Sequence, residues 1–313
     1  MVRKIGKKEV SGVGVLMITP LKKDYSLNEV SVRKEVDWLI DKGANSLWPS
    51  GYIGEWPSLD EELRTRLFKI CVEQANGKAL IAAGCHATNL NEVVRLVNSA
   101  EKVGCDLGWI CAVTPRRPTD DEIVAQYQYI LDRTSLPIGL YNSTLTGVYM
   151  TAQLLLRICS LSDRIVAVKD SVGDFGHIAQ LYHVGLHKKV SIFPTTHIMI
   201  PSLIWGAAGA LPDPCQTLLA VAALKAFKKG EMEKAWALQF RMTGDDPLLT
   251  YKISAGMAAG ATTISSSIGA QKAKVTAMLN IEMGPPAPPY APPTAAEIEA
   301  GKKQIEQFKL LDP

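Results

Sequence analysis

The chain has 313 residues, of which 47% are hydrophobic and 21% are charged, and its formal net charge is +3. These values are ordinary for a soluble globular protein, exclude a largely disordered chain, and do not indicate a surface for nucleic acid or anionic membranes. No stretch approaches eighteen uninterrupted apolar residues, and no apolar stretch of signal length follows the basic start, so we expect no membrane segment and a cytoplasmic protein.

Eight short apolar runs alternate with amphipathic segments, an order that predicts parallel strands joined by helices. The predicted strands cover 12–19, 45–50, 79–84, 106–112, 137–141, 165–169, 190–194 and 207–211. Helix patterns over 27–43, 59–77 and 89–104 close on glycine or Asn-Gly, as helix C-termini prefer. Eight such units favour an α/β fold of the (β/α)8 TIM barrel type over an open doubly wound sheet, and no GxGxxG or GxxxxGK[ST] motif supports a nucleotide site.

The character of the sequence changes beyond the eighth strand. Helix patterns cover 218–242 and 251–279, and the proline-rich stretch Pro285–Pro293 predicts either an extended connector or a ligand for a proline-binding domain. Thr294 and Glu297 have capping-box spacing and predict the start of a last helix. We therefore divide the chain into a catalytic barrel over residues 1–225 and a C-terminal helical extension over residues 226–313.

Polar and glycine-rich groups follow six of the predicted strands. They are TP (19–20), SGYIGE (50–55), GCHATN (84–89), TPRRP (114–118), YNST (141–144) and KDS (169–171). The active site of a TIM barrel lies where the C-terminal ends of its strands meet, so these groups are expected to line one mouth.

Lys169 ends an otherwise apolar run that begins at Ile165. Its side chain either extends from the strand end into solvent or stays buried, where an amine loses its proton and becomes a nucleophile for carbonyl carbons. Tyr141 ends the preceding strand and, taken alone, indicates a core aromatic with its hydroxyl at the rim. The tryptophans near strand ends either pack in the core or contact an apolar or aromatic ligand, and they are Trp48, Trp56 and Trp109.

The six cysteines form no CxxC pair and the five histidines form no HExxH or His-x-His group. We therefore expect reduced thiols and no metal site. Cys85-His86 follows a predicted strand, where it could line a pocket.

These motifs, in this order and spacing, make the chain resemble the dihydrodipicolinate synthase and N-acetylneuraminate lyase family, Schiff-base aldolases built on a (β/α)8 barrel with a helical extension. The resemblance covers nearly the whole chain. It is carried by Thr19-Pro20, the Gly51–Glu55 turn, Tyr141-Asn142, Lys169-Asp170-Ser171 and the proline-rich C-terminal stretch. It implies that Lys169 forms an imine with pyruvate or a related 2-oxo acid, that Tyr141 relays protons, and that neither a metal nor an organic cofactor is needed.

The resemblance also implies a set of substrate-binding residues. Its members are Gly51, Tyr52, Ile53, Arg116, Arg117, Asn142 and Pro212. The turn at Gly51 matches the family's carboxylate site, where backbone N–H groups can cradle an anion. Tyr52 and Ile53 stand where most relatives have two hydroxyl residues, so the usual proton relay is broken or rebuilt.

Two further departures concern specificity. Arg116 and Arg117 replace a PYY stretch after the fourth strand, and they either bind the carboxylate of an acidic substrate or pair with acids at a subunit boundary. The YNSTLTG stretch that starts at Tyr141 lacks the arginine of the YNxPxRTG pattern common in dihydrodipicolinate synthases, which counts against a role in lysine biosynthesis.

The expected function is that of a lyase, a class I aldolase or hydratase-aldolase that makes or breaks a C–C bond next to a pyruvate-like enamine. The alternatives are 4-hydroxy-tetrahydrodipicolinate synthase, or a barrel that binds a 2-oxo acid without turnover and serves as a sensor or scaffold. The expected partners are a 2-oxo acid and an aldehyde, without nucleic acid or membrane, and the family implies a homotetramer.

Overall fold

The barrel is formed by eight parallel strands in a computed structural model that describes residues 2–112, 118–143, 146–244 and 268–313. An N-terminal hairpin of β1 (Lys4–Ile5) and β2 (Lys8–Glu9) precedes it. The barrel strands are β3 (Gly12–Leu16), β4 (Ser46–Trp48), β5 (Leu80–Gly84), β6 (Leu107–Cys111), β7 (Ile138–Asn142), β8 (Ile165–Asp170), β9 (Ser191–Pro194) and β10 (Gly209–Ala210).

The strands follow the order β10-β3-β4-β5-β6-β7-β8-β9, and all neighbours are parallel. The two ends of this sheet approach each other, since the Ala208 N–H donates to the Ile192 carbonyl over 2.9 Å. The sheet is therefore a nearly closed barrel, and the predicted TIM barrel is confirmed. Every predicted strand is present, most of them shorter than the apolar run that predicted them.

Helices alternate with these strands and cover the outside of the barrel. They are α1 (Glu29–Asp41), α2 (Glu61–Ala75), α3 (Leu90–Val103), α4 (Asp120–Leu131), α5 (Ala152–Cys159), α6 (Phe175–His183), α7 (Met199–Ile204) and α8 (Thr217–Lys228). The three predicted helices are confirmed and begin after a polar cap, as at α2, where the Asp60 carboxylate accepts from the Leu63 N–H. None of the described helices is both long and apolar enough to cross a lipid bilayer.

Aromatic side chains fill the inside of the barrel. The Trp48 ring centroid is 5.2 Å from that of Trp109 and 5.9 Å from that of Phe193, in edge contacts that aromatic pairs favour. Gly14 makes room for this cluster, because a Cβ atom there would lie 2.5 Å from Trp48 Nε1. Trp48 and Trp109 are therefore core residues, which is one of the two roles the sequence allowed them.

The C-terminal extension consists of α9 (Met232–Gly244), α10 (Ile268–Leu279) and α11 (Ala295–Gln307). The predicted helix over 218–242 is wrong in one respect: it divides into α8 and α9 at Gly230, whose φ of 77° no helix accommodates. The predicted domain boundary after residue 225 falls inside α8. Of the helix predicted over 251–279, only α10 lies within the described residues.

The proline-rich stretch connects α10 to α11 along the barrel. It has neither helix nor strand, as predicted, and its Ala287 is 3% exposed. The Lys272 ammonium of α10 donates to the Pro285 carbonyl over 2.7 Å. The capping box of Thr294 and Glu297 is present at the start of α11, so that prediction is confirmed.

Candidate active site

Lys169 lies near the end of β8 with its side chain inside the barrel and only 7% exposed. Its Nζ is 4.4 Å from the ring centroid of Tyr141 and 5.3 Å from that of Trp109. No described carboxylate forms an ion pair with it, and burial lowers its pKa to about 7. The side chain does not extend into solvent, so a large share of the amine is unprotonated and nucleophilic near neutral pH.

Tyr141 stands beside this lysine because the β7–β8 register pairs the two residues directly. Side chains alternate along a strand, so paired residues of neighbouring strands share one face, here the inside of the barrel. The hydroxyls of Ser143 and Ser171 lie near the phenol, where they favour its ionised form. Burial raises its pKa to about 12, so the phenol is protonated near neutral pH in the free protein.

A tight turn after β4, Gly51–Glu55, forms the opposite side of the mouth. A Cβ atom on Gly51 would lie 2.9 Å from Trp109 Cζ2, so this position needs glycine. The Thr19 hydroxyl donates to the Gly54 carbonyl over 2.7 Å, which gives the TP motif its structural role. Glu55 has a φ of 63°, in the left-handed region that residues with a side chain adopt only uncommonly.

Glu55 anchors this turn to the C-terminal extension. Its buried carboxylate lies 2.6 Å from the Lys272 ammonium and accepts from the Ala287 N–H over 2.5 Å. Burial raises the pKa of Glu55 and lowers that of Lys272, while their mutual attraction opposes both shifts. The extension therefore helps to fix the shape of the mouth.

Tyr52 and Ile53, the two middle residues of the turn, point in different directions. The Tyr52 ring centroid is 6.4 Å from that of Tyr141 and 6.2 Å from that of Trp56, and burial raises its pKa. Ile53 is half-buried against the core between barrel and helices. The structure thus brings Tyr52 next to the Lys169 and Tyr141 pair but not the Ile53 side chain, and contact of either with substrate stays a prediction.

Two further predicted binding residues, Asn142 and Pro212, do not join this group. Asn142 follows Tyr141 and points to the other face of β7, where its amide donates to Asp170 Oδ2 over 2.8 Å and pairs with both backbone groups of Met150. These protein partners satisfy the amide, so its predicted contact with substrate finds no support here. Pro212 lies past the end of β10, and its carbonyl accepts from the Leu16 N–H over 2.9 Å. Arg116 and Arg117 lie outside the described residues.

Sequence reasoning missed Arg64, a buried arginine of α2 that is 1% exposed. Its guanidinium donates to the Ser50 hydroxyl over 3.0 Å, to the His86 carbonyl over 2.9 Å, and to the Gly84 carbonyl. It thereby ties the segment that follows β4 to the segment that follows β5. An arginine within an amphipathic helix carries no signal that distinguishes this role from an exposed one.

His86 was noted in the sequence only as part of a dipeptide at a strand end. The structure buries it completely, with its ring centroid 4.5 Å from that of Trp109 and 6.1 Å from that of Tyr141. Its Nδ1 accepts from the Cys111 N–H over 3.1 Å. Burial, together with the positive charges of Arg64 and Lys169, lowers its pKa well below the usual value.

All six cysteines are free and buried, in accord with the expected reduced thiols. Within the part of the chain that the structure describes, no group of three or more His, Cys, Asp or Glu side chains is arranged to hold a metal ion. What the arrangement offers chemically is a buried, partly neutral amine beside a phenol that has two hydroxyls nearby.

The amino-acid sequence is similar to a known protein family and to individual members of it. The model of the dihydrodipicolinate synthetase family matches residues 9–244. A 4-hydroxy-tetrahydrodipicolinate synthase of Novosphingobium aromaticivorans is 28% identical over 249 residues, 75% of this chain and 83% of that protein. Its counterpart from Desulforamulus reducens is 29% identical over 194 residues, 62% of this chain and 66% of that protein, just under two thirds of its length.

Solved structures show the same fold. YagE of Escherichia coli K12, a protein of the dihydrodipicolinic acid synthase family crystallised with pyruvate, superposes with a TM-score of 0.84 at 20% identity, over 96% of this chain and 99% of that chain. CdNal of Clostridium difficile, crystallised with mannosamine, gives a TM-score of 0.82 at 18% identity, over 96% and 99% of the two chains. At these identities the likeness concerns the fold.

Proposed function

Because the chain belongs to the dihydrodipicolinate synthetase family, we propose that it is a Schiff-base-forming lyase that acts on pyruvate or a related 2-oxo acid. Membership confirms the expectation of an enzyme of this family. The proposed reaction is that of a class I aldolase or hydratase-aldolase, which makes or breaks a C–C bond next to a lysine enamine. The single observation that carries the proposal is the buried Lys169 amine, which pairs with no described carboxylate and lies beside the Tyr141 phenol.

The first step is attack of the neutral Lys169 nitrogen on the keto carbon of the 2-oxo acid. The carbinolamine that forms loses its hydroxyl as water, for which a proton donor must lie within hydrogen-bond reach. Tyr141 has the position and, with a pKa of about 12, the protonation state for this role. The protonated imine then accepts electron density as C3 loses a proton or a C3–C4 bond breaks, so no free carbanion forms.

We propose that protons reach and leave the phenol through the hydroxyls that lie near it. In this chain those are Ser143 and Ser171, and Ser171 is partly exposed. We propose that they replace the hydroxyl residues absent from the Gly51–Glu55 turn. The relay is then rebuilt from residues that follow β7 and β8, the two strands that carry Tyr141 and Lys169.

Two other functions have specific support. The curated relatives named 4-hydroxy-tetrahydrodipicolinate synthase favour that reaction, although this chain lacks an arginine in its YNSTLTG stretch. The replacement of two hydroxyl residues by Tyr52 and Ile53 favours a barrel that binds a 2-oxo acid without turnover. The aldolase proposal is preferred because the lysine, the tyrosine and two hydroxyls are all present around one point.

A panel of substrates separates the three functions. The full-length protein is incubated with 4-hydroxy-2-oxo acids that carry sugar, aliphatic or aromatic groups at C4, and released pyruvate is measured; aspartate semialdehyde with pyruvate tests the synthase. Release from at least one panel member, absent in Lys169→Ala, is the expected result. Imine formation with pyruvate but no cleavage and no condensation would favour the binding protein over the enzyme.

Assembly and location are also proposals. We propose a homotetramer in the cytoplasm, by analogy with the family. Light scattering at several protein concentrations tests the first point, and a monomer at every concentration would refute it. Fractionation of the source cells tests the second.

A further inference from the structure

Three buried N–H groups at the mouth have no hydrogen-bond acceptor among the described residues. They belong to His86 Nε2, Trp56 Nε1 and Trp109 Nε1. The His86 ring centroid lies 4.5 Å from that of Trp109 and 5.6 Å from that of Trp56, so the three rings pack together. A buried donor without an acceptor costs about 1–3 kcal/mol. A cluster of such donors beside a reactive lysine is suited to a ligand that brings acceptors.

The hydrogen bond at Nδ1 shows which nitrogen of the His86 ring carries the proton. Nδ1 accepts from the Cys111 N–H over 3.1 Å, so Nδ1 carries a lone pair and the proton of the neutral ring is on Nε2. Burial and the nearby positive charges keep the ring neutral, since they lower its pKa. Nε2 is therefore a fixed donor, and it is the atom that no described residue satisfies.

The surroundings of this donor favour a negatively charged acceptor. Arg64 is buried beneath it, and its nearest described carboxylate, that of Glu92, is 4.0 Å away and partly exposed. The other bonds of the guanidinium go to neutral oxygens of Ser50, Gly84 and His86. A buried positive charge with little compensation attracts anions.

His86 also lies close to the nucleophile. Both pack against Trp109, whose ring centroid is 4.5 Å from that of the imidazole and 5.3 Å from Lys169 Nζ, and both lie beside the Tyr141 ring. In a 2-oxo acid the carboxylate is bonded directly to the carbon that the amine attacks. A donor that packs against the same two rings as Lys169 is therefore placed to hold that carboxylate while the imine forms.

We propose that His86 is a substrate-binding residue whose Nε2–H holds the carboxylate of the 2-oxo acid, with the Trp56 indole N–H as a second donor. The inference rests on the proposed function and adds a determinant of substrate class to it. His86 makes the site select 2-oxo acids over ketones that lack a carboxylate.

Borohydride trapping of the full-length protein tests this, with pyruvate and acetone as matched ketones. We compare the wild type with His86→Phe, which keeps the ring shape, and with His86→Gln, which keeps an N–H donor. His86→Phe should raise the pyruvate concentration for half-maximal trapping about 10- to 100-fold, as expected for a lost hydrogen bond to a charged group. It should leave the response to acetone unchanged, and His86→Gln should recover most of the loss.

Several outcomes would overturn the inference. Equal loss with pyruvate and acetone would make His86 a structural residue, and a loss confined to the aldehyde step would assign the donor to the second substrate. Normal trapping of the wild type together with normal trapping of His86→Phe would refute only the His86 role. No trapping in the wild type would refute the proposed function and this inference with it.

A second variant guards against misfolding. Trp56→Phe removes one N–H and keeps an aromatic ring, so the fold is retained even if His86→Phe fails a thermal unfolding test. The expected result is a several-fold rise in the pyruvate concentration for half-maximal trapping, again without an effect on acetone. An unchanged response to pyruvate in Trp56→Phe would contradict the two-donor arrangement.

Discussion

Lys169 Nζ lies 4.4 Å from the ring centroid of Tyr141, its direct partner in the β7–β8 register. The register fixes this approach, because paired residues on neighbouring parallel strands project to the same side of the sheet. Buried aromatic and aliphatic side chains surround Lys169 inside the barrel, and this burial lowers its pKa to about 7, so a large share of the amine is neutral near neutral pH. The fold thus supplies both the position and the protonation state of the nucleophile.

The pH dependence of imine formation follows from the shifted lysine. We expect the rate with pyruvate to rise with pH and to level off above about 7, because only the neutral amine attacks and the pKa of Lys169 is lowered to about 7. Quenched reactions analysed by mass spectrometry give the rate at each pH. A solvated lysine would level off only above about 10.4, and such a profile would contradict the burial argument.

Replacement of Lys169 by methionine should stabilise the protein. The pKa of the amine is about 7 in the folded state against 10.5 for an ordinary lysine, so the folded state binds fewer protons between these values. Wild-type stability should therefore rise relative to Lys169→Met by about 1.4 kcal/mol per pH unit across that window. Below about pH 7 the amine is protonated in both states, so the wild type is less stable than Lys169→Met by a constant amount, and the difference is largest there.

Urea unfolding of both proteins at a series of pH values measures this difference. Lys188→Met, at an exposed lysine, is the matched control and should track the wild type throughout. A difference between wild type and Lys169→Met that does not change with pH would mean that the amine keeps its ordinary pKa.

Loss of the Tyr141 hydroxyl should slow turnover. Tyr141→Phe keeps the ring that packs on Trp109 but removes the proton donor, and we expect a decrease in kcat of about 10²- to 10⁴-fold. Tyr127→Phe is the control, since its buried hydroxyl bonds to the Ile110 carbonyl over 3.4 Å and belongs to no part of the proposed relay. Steady-state kinetics with the best substrate of the panel measures kcat for each variant. An unchanged kcat in Tyr141→Phe would mean that the phenol takes no part in the mechanism.

The ion pair between Glu55 and Lys272 should matter for stability. Glu55→Gln leaves a buried ammonium without its counter-charge, and we expect a loss of about 3–5 kcal/mol in the free energy of unfolding. Glu29→Gln is the control, because its partner Arg66 is exposed and a surface pair contributes about 0–1 kcal/mol. The double variant Glu55→Gln with Lys272→Met should recover part of the lost stability, because no unpaired ammonium remains buried. Similar losses of stability in Glu55→Gln and Glu29→Gln would contradict a specific role of the buried ion pair.

The fold could be predicted because its signals are local. The apolar run that starts at Ile165 and the helix pattern over 89–104 follow from periodicity and caps within the segment itself. The one wrong helix joined α8 to α9, since Gly230 was read as part of a periodic pattern although its positive φ ends the helix. Element bounds were too long because apolar residues continue past the last paired residue of a strand.

The site was predicted only in part. Lys169 and Tyr141 could be recognised in the sequence because each is a polar residue at the end of an apolar run. Their contact follows from the pairing of β7 with β8 in the barrel. Arg64 and His86 depend on contacts between segments far apart in sequence, such as the bond from the Cys111 N–H to the imidazole. Asn142 was assigned to substrate by resemblance, whereas strand alternation turns it to Asp170.

The most direct test of the account is a mass measurement of the intact chain after borohydride reduction in the presence of pyruvate. We predict one added pyruvate-derived group on the wild type, mapped by digestion to Lys169, none on Lys169→Ala, and an unchanged yield on Lys188→Ala. A wild type that gains no mass, or an adduct that persists in Lys169→Ala, would contradict the claim that this buried amine is the nucleophile.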